Sequence, residues 1–119
     1  NSASVFHRTP LGSVTPAQWD AVLNVNLRAP FLAAQAAANA MGERGGVIVN
    51  IADHVIHEHR PSLVPHGISK AGVVQMTEAL AALLAPRVRV NAVSPGAVLP
   101  PESSDPEHVD WLARTTPLK

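Results

Sequence analysis

The stretch "GVIVNI", residues 46–51, decides how this chain folds. It is a short, nearly continuous apolar run rich in β-branched residues. Such runs suit a parallel strand buried on both faces. A second run, "VRVNAV" at 88–93, reads the same way and is followed by the turn "SPG" at 94–96.

Helical patterns lie on either side of the first strand. "VTPAQWDAVLNVNLRAPFLAAQAAANAM", from Val14 to Met41, reads as one long helix. Thr15 is its N-cap, Pro16 fits the first helical position, and Gln18 completes a capping box. Trp19, Val22, Leu23 and Asn26 share one face at helical spacing, which puts a polar Asn26 on an apolar stripe. Pro30 is expected to kink or loosen this helix, and "GERGG" at 42–46 ends it. A second helix is expected from about Pro65 to Leu84, stopping before Pro86. The tail carries one short helix, capped by Asp105 with Pro106 in its first turn.

The order helix, strand, helix, strand and loop implies a doubly wound α/β sheet, with ligands beyond the carboxyl ends of the strands. Two strands do not complete such a sheet. Residues 1–119 are therefore expected to be a single partial α/β domain whose remaining strands lie mostly upstream of Asn1. The glycine cluster from Gly42 to Gly46 precedes a strand and so lacks the context of a dinucleotide fingerprint.

Composition narrows the function. Nine basic and nine acidic residues balance to zero net charge, leaving no electrostatic footprint for nucleic acid or an anionic membrane. No apolar run reaches the about 18 residues of a membrane span. The chain has no cysteine, which rules out disulfides and thiolate metal sites and suits a reducing cytoplasm. No nucleic-acid or membrane partner is expected.

Chemistry gathers around the strand ends. Asp53 follows the first strand, where an α/β sheet presents functional side chains. His66 and Lys70 stand at i and i+4 and share a helix face. By itself that pair reads as a helix-start histidine beside a solvated lysine. "HVIHEHR", residues 54–60, brings His54, His57 and His59 close together. A loop bordering the substrate is the expected reading there, and no metal is.

Several segments together resemble the short-chain dehydrogenase/reductase family, over essentially the whole chain. "NSAS" at 1–4 is similar to the family's Asn-Asn-Ala-Gly segment after the fourth strand. "WDAVLNVNLRAPF" at 19–31 resembles its next helix, "GGVIVNIAD" at 45–53 its fifth strand, and "RVRVNAVSPGAV" at 87–98 its sixth strand and Pro-Gly turn. The family's active site uses Asn, Ser, Tyr and Lys, with Tyr four residues before Lys and Ser thirteen before Tyr. Asn26 and Lys70 match, while Asp53 stands at the serine position and His66 at the tyrosine position.

The resemblance implies a partial Rossmann-type domain with its N-terminal nucleotide-binding strands upstream of Asn1, a small-molecule substrate, and a role for each residue. The family's tyrosine gives a proton to the substrate as hydride leaves a nicotinamide, its lysine lowers the tyrosine pKa and holds the nicotinamide ribose, and its asparagine holds a water. His66 thus becomes the proton donor, Asp53 an orienting or relay carboxylate, Lys70 the ribose anchor and Asn26 the water holder. Asn1, Ala3, Lys70, Pro95 and Gly96 are the implied cofactor contacts. Imidazole titrates close to neutral pH and can give or take a proton there.

Asp at the serine position resembles pteridine reductases, implying hydride transfer to a C=N or C=O bond and NADP(H) over NAD(H). Trp111 and Leu112 fall where the family has a substrate lid. Ala97 to Pro100 departs from the family's usual continuation near the cofactor. The two long helices resemble those that join subunits, implying a homodimer or homotetramer. The alternative is a catalytically degenerate nucleotide-binding regulatory or structural protein on the same fold.

Overall fold

The computed structural model describes residues 1–58, 60–96 and 105–115. The expectations for His59 and for Ala97 to Pro100 lie outside these residues.

Helix α1 spans Pro16–Leu23 and starts as the sequence dictates. Thr15 Oγ1 accepts the Gln18 N–H at 3.2 Å, and Gln18 Oε1 accepts the Thr15 N–H at 2.9 Å. The helix then widens into a π-helical turn over Asn24–Arg28, where the Ala29 N–H reaches back to the Asn24 carbonyl. Helix α2, Ala29–Met41, continues from there. Pro30 explains the widening: it has no N–H to give, and its ring crowds the carbonyl four residues back. The kink expected at Pro30 thus takes the form of a wider turn in the helical run.

Two glycines reverse the chain after α2. Gly42 and Gly45 have φ of 51° and 66°, the left-handed region that favours glycine. A Cβ on Gly45 would collide with the Arg87 carbonyl oxygen, which accepts the Gly46 N–H at 3.0 Å. That close approach starts the pairing of β1, Gly46–Ile51, with β2, Val88–Val93. The strands are parallel, with Gly46 opposite Val88 and Ile51 opposite Val93. Helix α3, Val64–Leu84, makes the crossover between them, and α4, Pro106–Thr115, follows. Asp105 caps α4 by accepting the Glu107 N–H at 3.0 Å.

Helices α2 and α3 pack on one face of the pair. Ile48, Val88 and Val90 bury against Ala34, with Met41, Leu80 and Leu84 at the margin. A second cluster, Ala52, Val73 and Met76, continues the core toward the strand ends. Among the described residues the other face of β1 is open, with Val47 43% and Val49 44% exposed. Alternate side chains point to opposite sides of a strand, and the described helices reach one side.

The face shared by Trp19, Val22, Leu23 and Asn26 is not buried evenly. Val22 and Asn26 are fully buried, but Trp19 is 38% exposed, because it lies a turn nearer the exposed start of α1 at residues 16–21.

One polar line crosses the core. Asn50 is fully buried, and its Nδ2 donates to Thr77 Oγ1 at 2.8 Å. Its Oδ1 accepts from Asn1 Nδ2 at 2.7 Å, and Thr77 Oγ1 donates to the Val73 carbonyl at 2.7 Å. Asn1 also lies along β1 through its backbone, donating to the Val49 carbonyl at 2.9 Å and accepting the Ile51 N–H at 3.0 Å.

Candidate active site

The carboxyl end of β1 opens into an extended Asp53, whose side chain accepts the Val55 N–H at 2.8 Å. This bond starts a tight turn, His54–His57, that carries the chain away from the sheet. The exit of β2 runs beside it, for the His54 N–H reaches the Pro95 carbonyl at 3.3 Å and the Ala52 N–H the Val93 carbonyl at 2.8 Å. Pro95 thus borders the Asp53 loop. Gly96 and Ala3 are exposed, and nothing lies within 4 Å of where a Cβ on Gly96 would sit.

His66 enters from the first turn of α3. Its Nε2 lies 3.0 Å from Asp53 Oδ2. The ring is 2% exposed, whereas the Asp53 side chain is 25% exposed. The carboxylate therefore stands between the imidazole and solvent. A carboxylate is an acceptor, so Nε2 carries the hydrogen of this bond. On the far side, Nδ1 has a donor at 3.2 Å in Asn26 Nδ2 and an acceptor at 3.3 Å in the Val5 carbonyl. A neutral ring accepts from Asn26, and a protonated ring donates to Val5. Both protonation states of His66 find a partner.

Asn26 holds this arrangement from the π-turn. Its Oδ1 accepts the Val5 N–H at 2.7 Å and its Nδ2 donates to the Val5 carbonyl at 2.9 Å, which clamps that backbone at two points. Nδ2 also reaches Ser69 Oγ at 3.2 Å, and Ser69 Oγ donates to the His66 carbonyl at 2.6 Å. The clamped segment brings the Phe6 ring edge-on to His66, with centroids 4.8 Å apart. The side chain of Asn26 is thus fully engaged.

Lys70 lies one turn beyond His66, 4% exposed, with Nζ donating to the Ile51 carbonyl at 2.9 Å. Burial holds its pKa below the usual lysine value, against the opposing pull of Asp53. For Asp53, burial works to raise the pKa, but the Val55 N–H, the His66 hydrogen bond and the nearby imidazoles together hold it below the usual carboxylate value. The structure thus brings Asn26, Asp53, His66 and Lys70 to one end of the sheet.

Two contributors, Val5 and Ser69, escaped the sequence reading, and a third, His54, was read only as part of a loop bordering the substrate. Val5 acts through its backbone and left no side-chain signal. Ser69 shares the His66–Lys70 face, which the helical spacing displays. His54 bridges two carboxylates, with Nδ1 3.3 Å from Asp53 Oδ1 and Nε2 2.6 Å from Glu58 Oε1. Its adjacency to Asp53 was the available clue. Among the described residues no group of His, Asp and Glu is arranged to hold a metal ion, and His57 is exposed.

A family model described as enoyl-(acyl carrier protein) reductase matches residues 1–119. The chain is 35% identical over 126 aligned positions to carbonyl reductase (NADPH) 2 of Sus scrofa, covering 100% of this chain and 52% of that protein. The chain belongs to the short-chain dehydrogenase/reductase family. It is also 39% identical to the 3-oxoacyl-(acyl-carrier-protein) reductase FabG of Thermotoga maritima, covering 99% of this chain and 48% of the relative. Among solved structures it resembles FolM alternative dihydrofolate reductase 1 of Brucella suis in complex with NADP. That likeness has a TM-score of 0.88 at 34% identity and covers 98% of this chain and 48% of the other. This short-chain dehydrogenase/reductase chain spans about half the length of the curated relatives it matches. Its α/β architecture with a parallel sheet is that of their Rossmann-type fold.

Proposed function

We propose that this chain is the active-site half of an NADP(H)-dependent reductase acting on a C=N or C=O bond of a pterin-like small molecule. The observation that carries the reading is the 3.0 Å contact between His66 Nε2 and Asp53 Oδ2 at the carboxyl end of β1. Reducing either bond requires one proton at the heteroatom. A protonated His66–Asp53 pair holds one to give, as imidazolium and carboxylate or as imidazole and carboxylic acid. Asp53 is the exposed member, so His66 is the proton donor and Asp53 the carboxylate through which the proton reaches the substrate. Together they stand in for the family's tyrosine and serine. Asp53 also accepts hydrogen bonds from N–H groups of a pterin-like ring.

The residues present fit the nicotinamide end of a cofactor, which supplies the hydride. Lys70 spends one N–H on Ile51, and an ammonium has three, leaving donors for ribose hydroxyls. Asn1, Ala3, Pro95 and Gly96 complete the contacts in this reading. Asn26 is the water holder of this reading, on the π-turn that faces His66 and Ser69. A homodimer or homotetramer through α1, α2 and α3 is supported by exposed Phe31 and Leu32. Beside them is a surface hollow of about 330 Å³ lined by Leu23, Leu27 and Met76. A cytoplasmic location belongs to the same reading, and no described helix is long and apolar enough to cross a membrane.

The test is a titration of the full-length protein with NADPH and NADH, followed by nicotinamide fluorescence, then turnover with pterins and carbonyls. Saturable binding with NADPH preferred is expected. His66→Phe should keep that binding and lose turnover by about a hundredfold or more. Absence of binding, or full turnover in His66→Phe, refutes the reading. One observation favours the degenerate nucleotide-binding alternative: the His66 ring is buried with both nitrogens engaged. Tight binding with no turnover on any substrate selects it.

A further inference from the structure

The contacts of Asp53 do not end at His66. Its second oxygen faces His54 Nδ1 at 3.3 Å, and His54 Nε2 meets Glu58 Oε1 at 2.6 Å. Glu58 is in turn paired with Arg60. These groups form one line from a buried ring to the surface, as His66 is 2% exposed, Asp53 25% and His54 44%. The turn that builds the line is fixed locally. The Asp53 carboxylate holds the Val55 N–H, which places His54 and Glu58 one turn apart on the same side.

We propose that His54 and Glu58 form a proton-delivery line that recharges the buried His66 from solvent through Asp53. The proposal rests on the reductase reading for its use in turnover. The proton accounting closes. When the substrate heteroatom takes the proton of the pair, Asp53 is left as carboxylate and His66 as a neutral ring with its hydrogen on Nδ1, facing the Val5 carbonyl. A protonated His54 has N–H groups toward both carboxylates. It gives its Nδ1 proton to Asp53 Oδ1, the carboxylic acid turns about its Cβ–Cγ bond so that this O–H faces His66, and the same proton passes to His66 Nε2. His54 is left neutral with Nε2–H on Glu58, and bulk water restores its Nδ1 proton. No electrons move in these transfers; the pair of electrons belongs to the hydride.

The groups facing the line come from three elements: Lys70 and His66 on α3, Asn26 on the π-turn, and Asp53, His54, Glu58 and Arg60 on the loop. Neither His54 nor Glu58 touches the reacting atoms, so both are positioning residues acting through Asp53.

The test needs no turnover. The exchange of the His66 ring N–H with water is followed by NMR in the full-length protein, in wild type, His54→Phe and Glu58→Gln. Removing the line should slow this exchange by about tenfold or more in His54→Phe and by less in Glu58→Gln. Loss of a merely structural contact would loosen the loop and speed exchange, so the sign separates the two roles. Free imidazole in the buffer should restore the rate in His54→Phe. Unchanged or faster exchange in both variants overturns the proposal, whatever the enzyme assay shows. If the exchange result holds but no substrate turns over, the reductase reading fails and the line stands.

Discussion

Replacing Asn26 with leucine tests the central strut of the site. The two side chains have nearly the same shape, so the substitution removes hydrogen bonds without opening a cavity. Three partners lose a donor or acceptor. The Val5 N–H and carbonyl lose bonds of 2.7 and 2.9 Å, and Ser69 Oγ and His66 Nδ1 lose contacts of 3.2 Å. Val5 is half-buried, so water replaces part of its loss, whereas Ser69 and His66 are enclosed. His66 can turn its hydrogen toward the Val5 carbonyl, which limits its own penalty. At about 1 kcal/mol for each of two to three bonds not recovered, the loss is about 2–3 kcal/mol, roughly a hundredfold in the folding equilibrium. Urea unfolding of the full-length protein measures it. Asn24→Leu, two residues away on the exposed side, should change stability by no more than about 0.5 kcal/mol. A loss below about 1 kcal/mol in Asn26→Leu would show that the Val5 clamp holds nothing in place.

Gly45→Ala meets two obstacles together, a φ of 66° and the Arg87 carbonyl where its Cβ would lie. It should cost about 2–3 kcal/mol in the urea midpoint, and a neutral substitution would refute the close approach of the strands. The carboxyl of Asp53 titrates below its ordinary value of 3.8 when folded. The unfolded chain therefore takes up this proton first as pH falls. The stabilisation is complete above the unfolded value and is lost as pH drops through the folded one. Stability measured against pH should decline below about 3.8 in wild type, and this part of the decline should vanish in Asp53→Asn. An unchanged profile in Asp53→Asn would assign the acid sensitivity to another group.

Much of the framework was legible because it is encoded locally. Both strands occupy the β-branched runs at 46–51 and 88–93, and α3 begins at Val64, one residue before the expected Pro65. The capping box at Thr15 and the Asp105 cap stand where the sequence puts them. What covers Val47 and Val49 on the other face of β1 is not encoded locally, because it depends on what packs against them. Trp19 shows the same limit, since helical spacing assigns a face but not how far along the helix a neighbour reaches. Within the site, the spacing of Asp53, His66 and Lys70 placed them together. The Val5 clamp and the His54 bridge depend instead on backbone positions and turn geometry set by tertiary folding.

The buried Asn50 has a consequence for how β1 finds its place. The strand is otherwise apolar, and an apolar ribbon slides along its neighbour at little cost. Sliding by one residue exchanges its two faces. It would also push Asn50 toward the open side, set Val49 or Ile51 against Thr77, and strip Asn1 of its partner. Each polar group left buried without a bond costs about 1–3 kcal/mol. A single amide in a hydrophobic strand therefore proofreads the alignment of the sheet, and with it the position of Asp53 three residues farther on.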